Sequence, residues 1–141
     1  MKRLLVTALV SLSAAVGLIS TAAPAEAAYR PAQVVSLYGD VLHSGGSCSG
    51  PVRIVTKTDP RKRGWVESDY IPGRFNRTCS LRIWSNYGTK LPGTNWSPRI
   101  NVSRRGGAVV RQRQFIGSGV QGIQYGTGGP QVAVVHYLII P

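Results

Sequence analysis

Past residue 27 the chain never keeps a helical apolar period for three turns, and sixteen glycines and eight prolines interrupt it throughout. Each residue type destabilises a helix interior, glycine by roughly 1 and proline by roughly 3 kcal/mol relative to alanine. A helical domain is therefore ruled out at the start. Between the breakers lie short runs rich in Val, Ile, Tyr and Trp, which fit a pleated, half-buried surface. Strands are expected near 33–43, 51–58, 64–71, 79–86, 98–103, 107–116, 119–125 and 131–140. Turns are expected at 44–47, Asp59-Pro60, Pro72-Gly73, Pro92-Gly93, 105–107 and 126–130. Seven or eight strands at this spacing predict an all-β chain, a single small β-sandwich or barrel.

Period-two alternation assigns faces. Cys79, Leu81 and Ile83 share one face of their run, with Ser80, Arg82, Trp84 and Asn86 on the other. Val52 and Ile54 oppose Arg53, Val55 and Lys57, and Cys48 has the parity of Val52. The segment 131–140 is apolar on both faces, which predicts a central strand covered on both sides or one inside a closed barrel. His136 lies within it and reads as a hydrogen-bonded core histidine.

The first 27 residues read as a secretory signal peptide. Met1-Lys2-Arg3 is a positive start, Leu4 to Ile19 is a mostly apolar stretch, and Ala25-Glu26-Ala27 fits the small-x-small cleavage rule. The apolar stretch is shorter than the roughly 20 residues of a spanning helix. A mature β domain over 28–141 is expected, secreted and extracellular, with no transmembrane segment after the signal is removed. The strong preference for Arg over Lys suggests a GC-rich bacterial genome. In an oxidising compartment an even pair of cysteines defaults to a disulfide, so Cys48 and Cys79 are expected to bridge and staple the domain.

Charge is the feature most relevant to function. Without Lys2, Arg3 and Glu26, fifteen basic side chains face four acidic ones, a net charge of +11 on 114 residues. Several of the cations sit beside aromatic rings in sequence. Arg61, Lys62 and Arg63 precede Trp65; Arg82 precedes Trp84; Arg111 and Arg113 precede Phe115. Arginine forks pair well with phosphate and carboxylate, and aromatic rings supply stacking surfaces. The candidate polyanion-binding residues are Arg53, Lys57, Arg61, Lys62, Arg63, Trp65, Arg82, Trp84, Arg111 and Arg113. Arg53, Lys57 and Arg82 are expected to merge into one basic sheet surface if the disulfide draws their strands together, with Trp84 as its platform or packed under a neighbouring loop.

Chemistry for catalysis is thin. Asp40, His43 and Ser44 contain the residue types of a hydrolytic triad, but Asp40 and His43 have opposite strand parity and Ser44 opens an ordinary Gly-rich turn. Glu67 and Asp69 share a strand face at a separation compatible with glycosidase carboxylates; the basic residues nearby make charge balance the better explanation. Two cysteines and two distant histidines match no metal pattern. The segment 117–122 imitates a Gly-rich phosphate loop without a helix to follow it. No metal, cofactor or catalytic residue is expected, and no motif for sequence-specific nucleic-acid reading is present. The expectation is a non-enzymatic basic protein that engages an anionic polymer or the cell-envelope surface outside the cell. The alternative is an inhibitor of a secreted hydrolase, offering a disulfide-braced basic loop at Asp59–Gly64 or Lys90–Ser97.

Overall fold

The structure is a computed structural model and describes residues 29–87, 93–128 and 133–141. The proposed signal peptide therefore lies outside the described residues, as do parts of the expected turns at 92–93 and 126–130 and of the Lys90–Ser97 loop. Twelve strands are seen among the described residues. In chain order they are β1 (Arg30–Pro31), β2 (Val34–Leu37), β3 (Val41–Ser44), β4 (Gly50–Thr58), β5 (Trp65–Pro72), β6 (Cys79–Leu81), β7 (Trp84–Tyr87), β8 (Gly93–Trp96), β9 (Ile100–Val102), β10 (Val110–Phe115), β11 (Gly119–Gly126) and β12 (Val134–Ile140). No helix among the described residues is long and apolar enough to cross a membrane.

The strands form two five-stranded sheets and a two-stranded ribbon. The first sheet runs β1-β4-β5-β10, with β3 also paired to β4; the second runs β2-β12-β11-β7-β8; β6 and β9 make the ribbon. Every pairing is antiparallel. The chain is thus all-β, in a small sandwich-like arrangement rather than a single closed barrel.

The alternation along β4 holds: Val52, Ile54 and Thr56 are buried, and Arg53 is exposed. Val52 and Ile54 join Leu42, Val66 and Tyr70 of their own sheet and Ile123, Tyr125, Val134, Leu138 and Ile140 of the other in one hydrophobic core. Cys48 and Cys79 are bridged, with Cα atoms 5.9 Å apart, and pack against that core.

A chain of polar side chains crosses the core between the sheets. Ser68 Oγ lies 2.9 Å from the Tyr125 hydroxyl, which lies 3.1 Å from Thr56 Oγ1, which lies 2.8 Å from His136 Nδ1. Each group can donate to the next, ending on Nδ1 as acceptor and leaving the imidazole proton on Nε2, which faces Asp40 Oδ1 at 3.3 Å. Burial holds the His136 imidazole below its ordinary pKa, against the opposing pull of Asp40. His136 is the hydrogen-bonded core histidine the sequence predicts.

Three expectations need correction. The run 33–43 is two strands in different sheets, because the chain turns a corner at Tyr38 and Gly39, both with positive φ (67° and 77°). The run 79–86 is also two: β6 pairs with β9, while β7 crosses into the second sheet against β11. The third concerns 131–140. Its described part is an interior strand of its sheet, but among the described residues only one face is covered. Val134, His136, Leu138 and Ile140 are buried, whereas Tyr137 is 44% and Ile139 73% exposed. Two apolar faces in sequence need not mean two covered faces in the fold.

Candidate anion-binding surface

The ten sequence-selected residues fall into separate groups. Sheet register sets the first. On the outer face of the first sheet, Glu67 and Asp69 of the central strand β5 sit between β4 and β10, where Lys57 and Arg113 stand opposite Glu67 and Arg111 opposite Asp69. Arg113 Nε donates to Glu67 Oε2 at 2.7 Å, Arg111 Nε donates to Asp69 Oδ1 at 3.0 Å and lies 3.3 Å from Glu67 Oε1, and Lys57 Nζ donates to Asp69 Oδ2. The two carboxylates are almost closed off, with side-chain exposures of 3% and 8%. Burial alone would raise the Asp69 carboxyl, but hydrogen bonds from Lys57 and Arg111 hold it below the ordinary carboxylate range. The carboxylates are the centre of a charge network whose cations reach outward. Arg53 lies on the same sheet, exposed, opposite Val41 and Ile71.

The second group stands at the end of that face. The turn between β4 and β5 is braced locally: Arg61 N donates to Asp59 Oδ1 at 2.9 Å, Lys62 N to the Asp59 carbonyl at 3.0 Å, and Trp65 N to the Lys62 carbonyl at 3.1 Å. Gly64 has φ +78°, and a β-carbon there would overlap the Phe115 ring, so this position needs glycine for both conformation and space. Phe115 in turn meets Trp65 edge-on, centroids 5.8 Å apart. Arg61, Lys62 and Arg63 are all exposed on this turn.

Beside the turn, Tyr29, Lys62, Arg63, Trp65 and Arg113 line one open cavity of about 400 Å³. Lys62 Nζ sits 5.8 Å and the Arg113 guanidinium 5.0 Å from the centre of the Tyr29 ring, distances at which a cation is attracted to an aromatic face. Four sequence-selected residues thus meet in one place, and Tyr29 joins them. Tyr29 was not legible as a site residue, because β1 brings it to the cavity through two pairings with the far end of β4.

Arg82 and Trp84 are elsewhere. Arg82 lies between the end of β6 and the start of β7, Trp84 opens β7 in the second sheet, and the disulfide joins the start of β6 to the chain ahead of β4. β6 pairs with β9 in the ribbon, so Arg82 does not stand on the sheet that carries Arg53 and Lys57. Trp84 is no open platform: its Nε1 donates to the Thr127 carbonyl at 3.0 Å, and its ring covers Gly126, where a β-carbon would collide with it.

The other constellations resolve plainly. Ser44 Oγ donates to the Cys48 carbonyl at 2.7 Å and Asp40 faces His136, so Asp40, His43 and Ser44 are not drawn into one hydrogen-bonded set. Among the described residues no group of three or more His, Cys, Asp or Glu side chains is arranged to hold a metal. Compared with protein-family models, curated proteins and solved structures, the chain finds no match.

Proposed function

We propose that the protein is a secreted, non-enzymatic binder of anionic polymers outside the cell, and that the Tyr29 cavity is where it engages them. The observation that carries this reading is the meeting of three cations, Lys62, Arg63 and Arg113, with two rings, Tyr29 and Trp65, around one open cavity. Cations draw in an oxyanion-rich chain, and the rings give its sugar or base units a surface to lie on. Trp65 is 40% exposed and free to serve in this way. Cleavage after Ala27 or Ala28 would set the new α-amino group within one residue of Tyr29, adding another cation beside the cavity; N-terminal sequencing of the extracellular protein checks this.

The test is salt-titrated binding to heparin, duplex DNA and purified cell wall, comparing wild type with Lys62→Gln/Arg63→Gln and with Trp65→Ala. On DNA the salt slope should fall by about 0.9 for every phosphate that the variant no longer neutralises. Trp65→Ala should weaken binding with the slope kept. Absence of salt-dependent binding by the wild type would remove this reading.

A second reading, hydrolase inhibition, draws on the stiffness of the Asp59–Gly64 turn. Besides its internal hydrogen bonds, Gly64 N donates to the Pro141 carbonyl at 2.9 Å, and Ile116 N and Gly117 N donate to the Gly64 carbonyl. The disulfide is not its brace, since Cys48 and Cys79 lie at the opposite end of the β4–β5 pair. A rigid basic loop suits the pocket of a trypsin-like enzyme. A panel of secreted hydrolases assayed with and without the protein tests it.

A further inference from the structure

A second group of arginines gathers away from the Tyr29 cavity. All four described side-chain carboxylates are engaged on the two main sheets or the β4–β5 turn: Glu67 and Asp69 with Lys57, Arg111 and Arg113, Asp40 with His136, and Asp59 with the backbone of Arg61. Beside the β6–β9 ribbon, none of these four carboxylates is within ion-pair distance of Arg77, Arg82, Arg99, Arg104 or Arg105. All five arginines are exposed.

Pairing brings them together. Cys79 stands opposite Val102 and Leu81 opposite Ile100. Arg82 and Arg99 are the next residues beyond the Leu81–Ile100 pair, while Arg77 and Arg104 flank its other end. Arg104 and Arg105 occupy the middle of a tight turn closed by reciprocal bonds, Ser103 N to the Gly106 carbonyl at 2.8 Å and Gly106 N to the Ser103 carbonyl at 3.0 Å. Arg104 Nε donates to the Asn76 carbonyl at 3.0 Å, which fixes the guanidinium while leaving its terminal nitrogens for another acceptor. Arg77, Thr78, Ser103, Arg104 and Arg105 line an open groove of about 460 Å³ that contains no aromatic ring.

We infer that this ribbon is a second anion-binding site, taking the tetrahedral oxyanions, phosphate or sulfate, of a linear polymer through its backbone alone. Like charges gathered just beyond the two ends of a strand pair repel one another, and an oxyanion accepting forked hydrogen bonds from two guanidinium groups removes that repulsion. With no ring in the groove, recognition rests on the charged groups and not on stacked bases or sugars. Arg77 and Arg82 are five residues apart in sequence, so the two arginine groups are at most about 17 Å apart along the chain. A chain long enough to reach both should bind more tightly than a single oxyanion. No residue is shared with the Tyr29 cavity, so the site goes beyond the function proposed above and does not depend on it.

The experiment follows labelled inorganic polyphosphate and heparin by fluorescence anisotropy across a salt series, with orthophosphate as the single-unit probe. The proteins are wild type, Arg77→Gln/Arg104→Gln/Arg105→Gln, Arg82→Gln/Arg99→Gln, and Lys62→Gln/Arg63→Gln. Arg104 is anchored to Asn76, so thermal melts accompany every variant; the Arg82→Gln/Arg99→Gln variant leaves that anchor intact, which keeps the test open if the triple variant misfolds. The expected result is a salt slope lower in both ribbon variants, by about 0.7 for each oxyanion no longer neutralised, with long chains preferred to orthophosphate. Response to polyphosphate or to heparin identifies phosphate or sulfate as the source. Ribbon variants that bind like wild type while Lys62→Gln/Arg63→Gln fails would overturn the ribbon and keep the cavity. The reverse pattern supports the ribbon and overturns the cavity. Binding of neither polymer by the wild type overturns both.

Discussion

Replacing Asp69 with asparagine tests the charge network on the first sheet with almost no change in shape. In the wild type the carboxylate accepts from Lys57 and Arg111 while being almost closed to solvent. Removing one partner of a fully buried pair costs roughly 3–5 kcal/mol, whereas exposed pairs are worth about 0–1. Here the acid is buried, but the Arg111 side chain is 55% exposed, so an intermediate loss of about 2 kcal/mol is expected. With an unfolding entropy of about 2.1 cal/mol/K per residue, a domain of this size should lose about 8 °C in Tm at pH 7. The sign with pH follows from the lowered Asp69 carboxyl. Its contribution is complete above the unfolded value near 3.9 and is lost as pH falls through the lower folded value. Thermal melts followed by circular dichroism at pH 7 and in a descending acid series would therefore show the gap between wild type and Asp69→Asn closing in acid. A shift under about 2 °C at pH 7, or a gap that stays constant into acid, would refute this account of the network.

Three further outcomes are expected. Cys48→Ala with Cys79→Ala opens a bridge of sequence separation 31 and should cost about 3–4 kcal/mol in urea unfolding; a loss below about 1 kcal/mol would contradict it. His136→Gln should flatten the pH dependence of stability: wild type is fully stabilised above the unfolded histidine pKa near 6.5 and loses stability as pH falls toward the lowered folded value, at no more than about 1.4 kcal/mol per pH unit, which unfolding at pH 7.5, 6 and 5 would reveal. Gly126→Ala forces a methyl group into the Trp84 ring and should cost about 1–3 kcal/mol, with a red shift in tryptophan emission as the indole is displaced.

Local pattern carried much of the fold. The alternation of Val52 and Ile54 with Arg53 and the strand runs are properties of a few neighbouring residues, and local steric rules decide them; the Cys48–Cys79 bridge, at a sequence separation of 31, was legible only because the chain has one possible cysteine pair. Which sheet a strand joins depends on partners far away in sequence. That is why the corner at Tyr38 and the break before Trp84 stayed hidden, and why β8, Gly93–Trp96, was not expected at all. The candidate site divides in the same way. Lys62, Arg63 and Trp65 are sequence neighbours and stayed together, whereas Tyr29 reaches them only through β1–β4 pairing and Arg113 only through β5–β10 pairing. The arginines at 77, 104 and 105 were visible as charges, but nothing local announces that β6–β9 pairing brings them together.

The bare outer side of β12 bears on what the net positive charge does in solution. Val35, Leu37, Val120, Tyr137 and Ile139 are all substantially exposed, and sheet register makes them neighbours across β2, β12 and β11. Such a greasy patch would ordinarily promote clumping, yet like molecules carrying a net charge of +12 repel at low ionic strength. Charge repulsion is thus expected to oppose clumping, and screening salt to weaken that protection. An anionic chain that neutralised the arginines would remove the repulsion while leaving the patch in place. Protein coating such a chain would then be prone to cohere, so turbidity should peak near charge equivalence and fade again when either component is in excess.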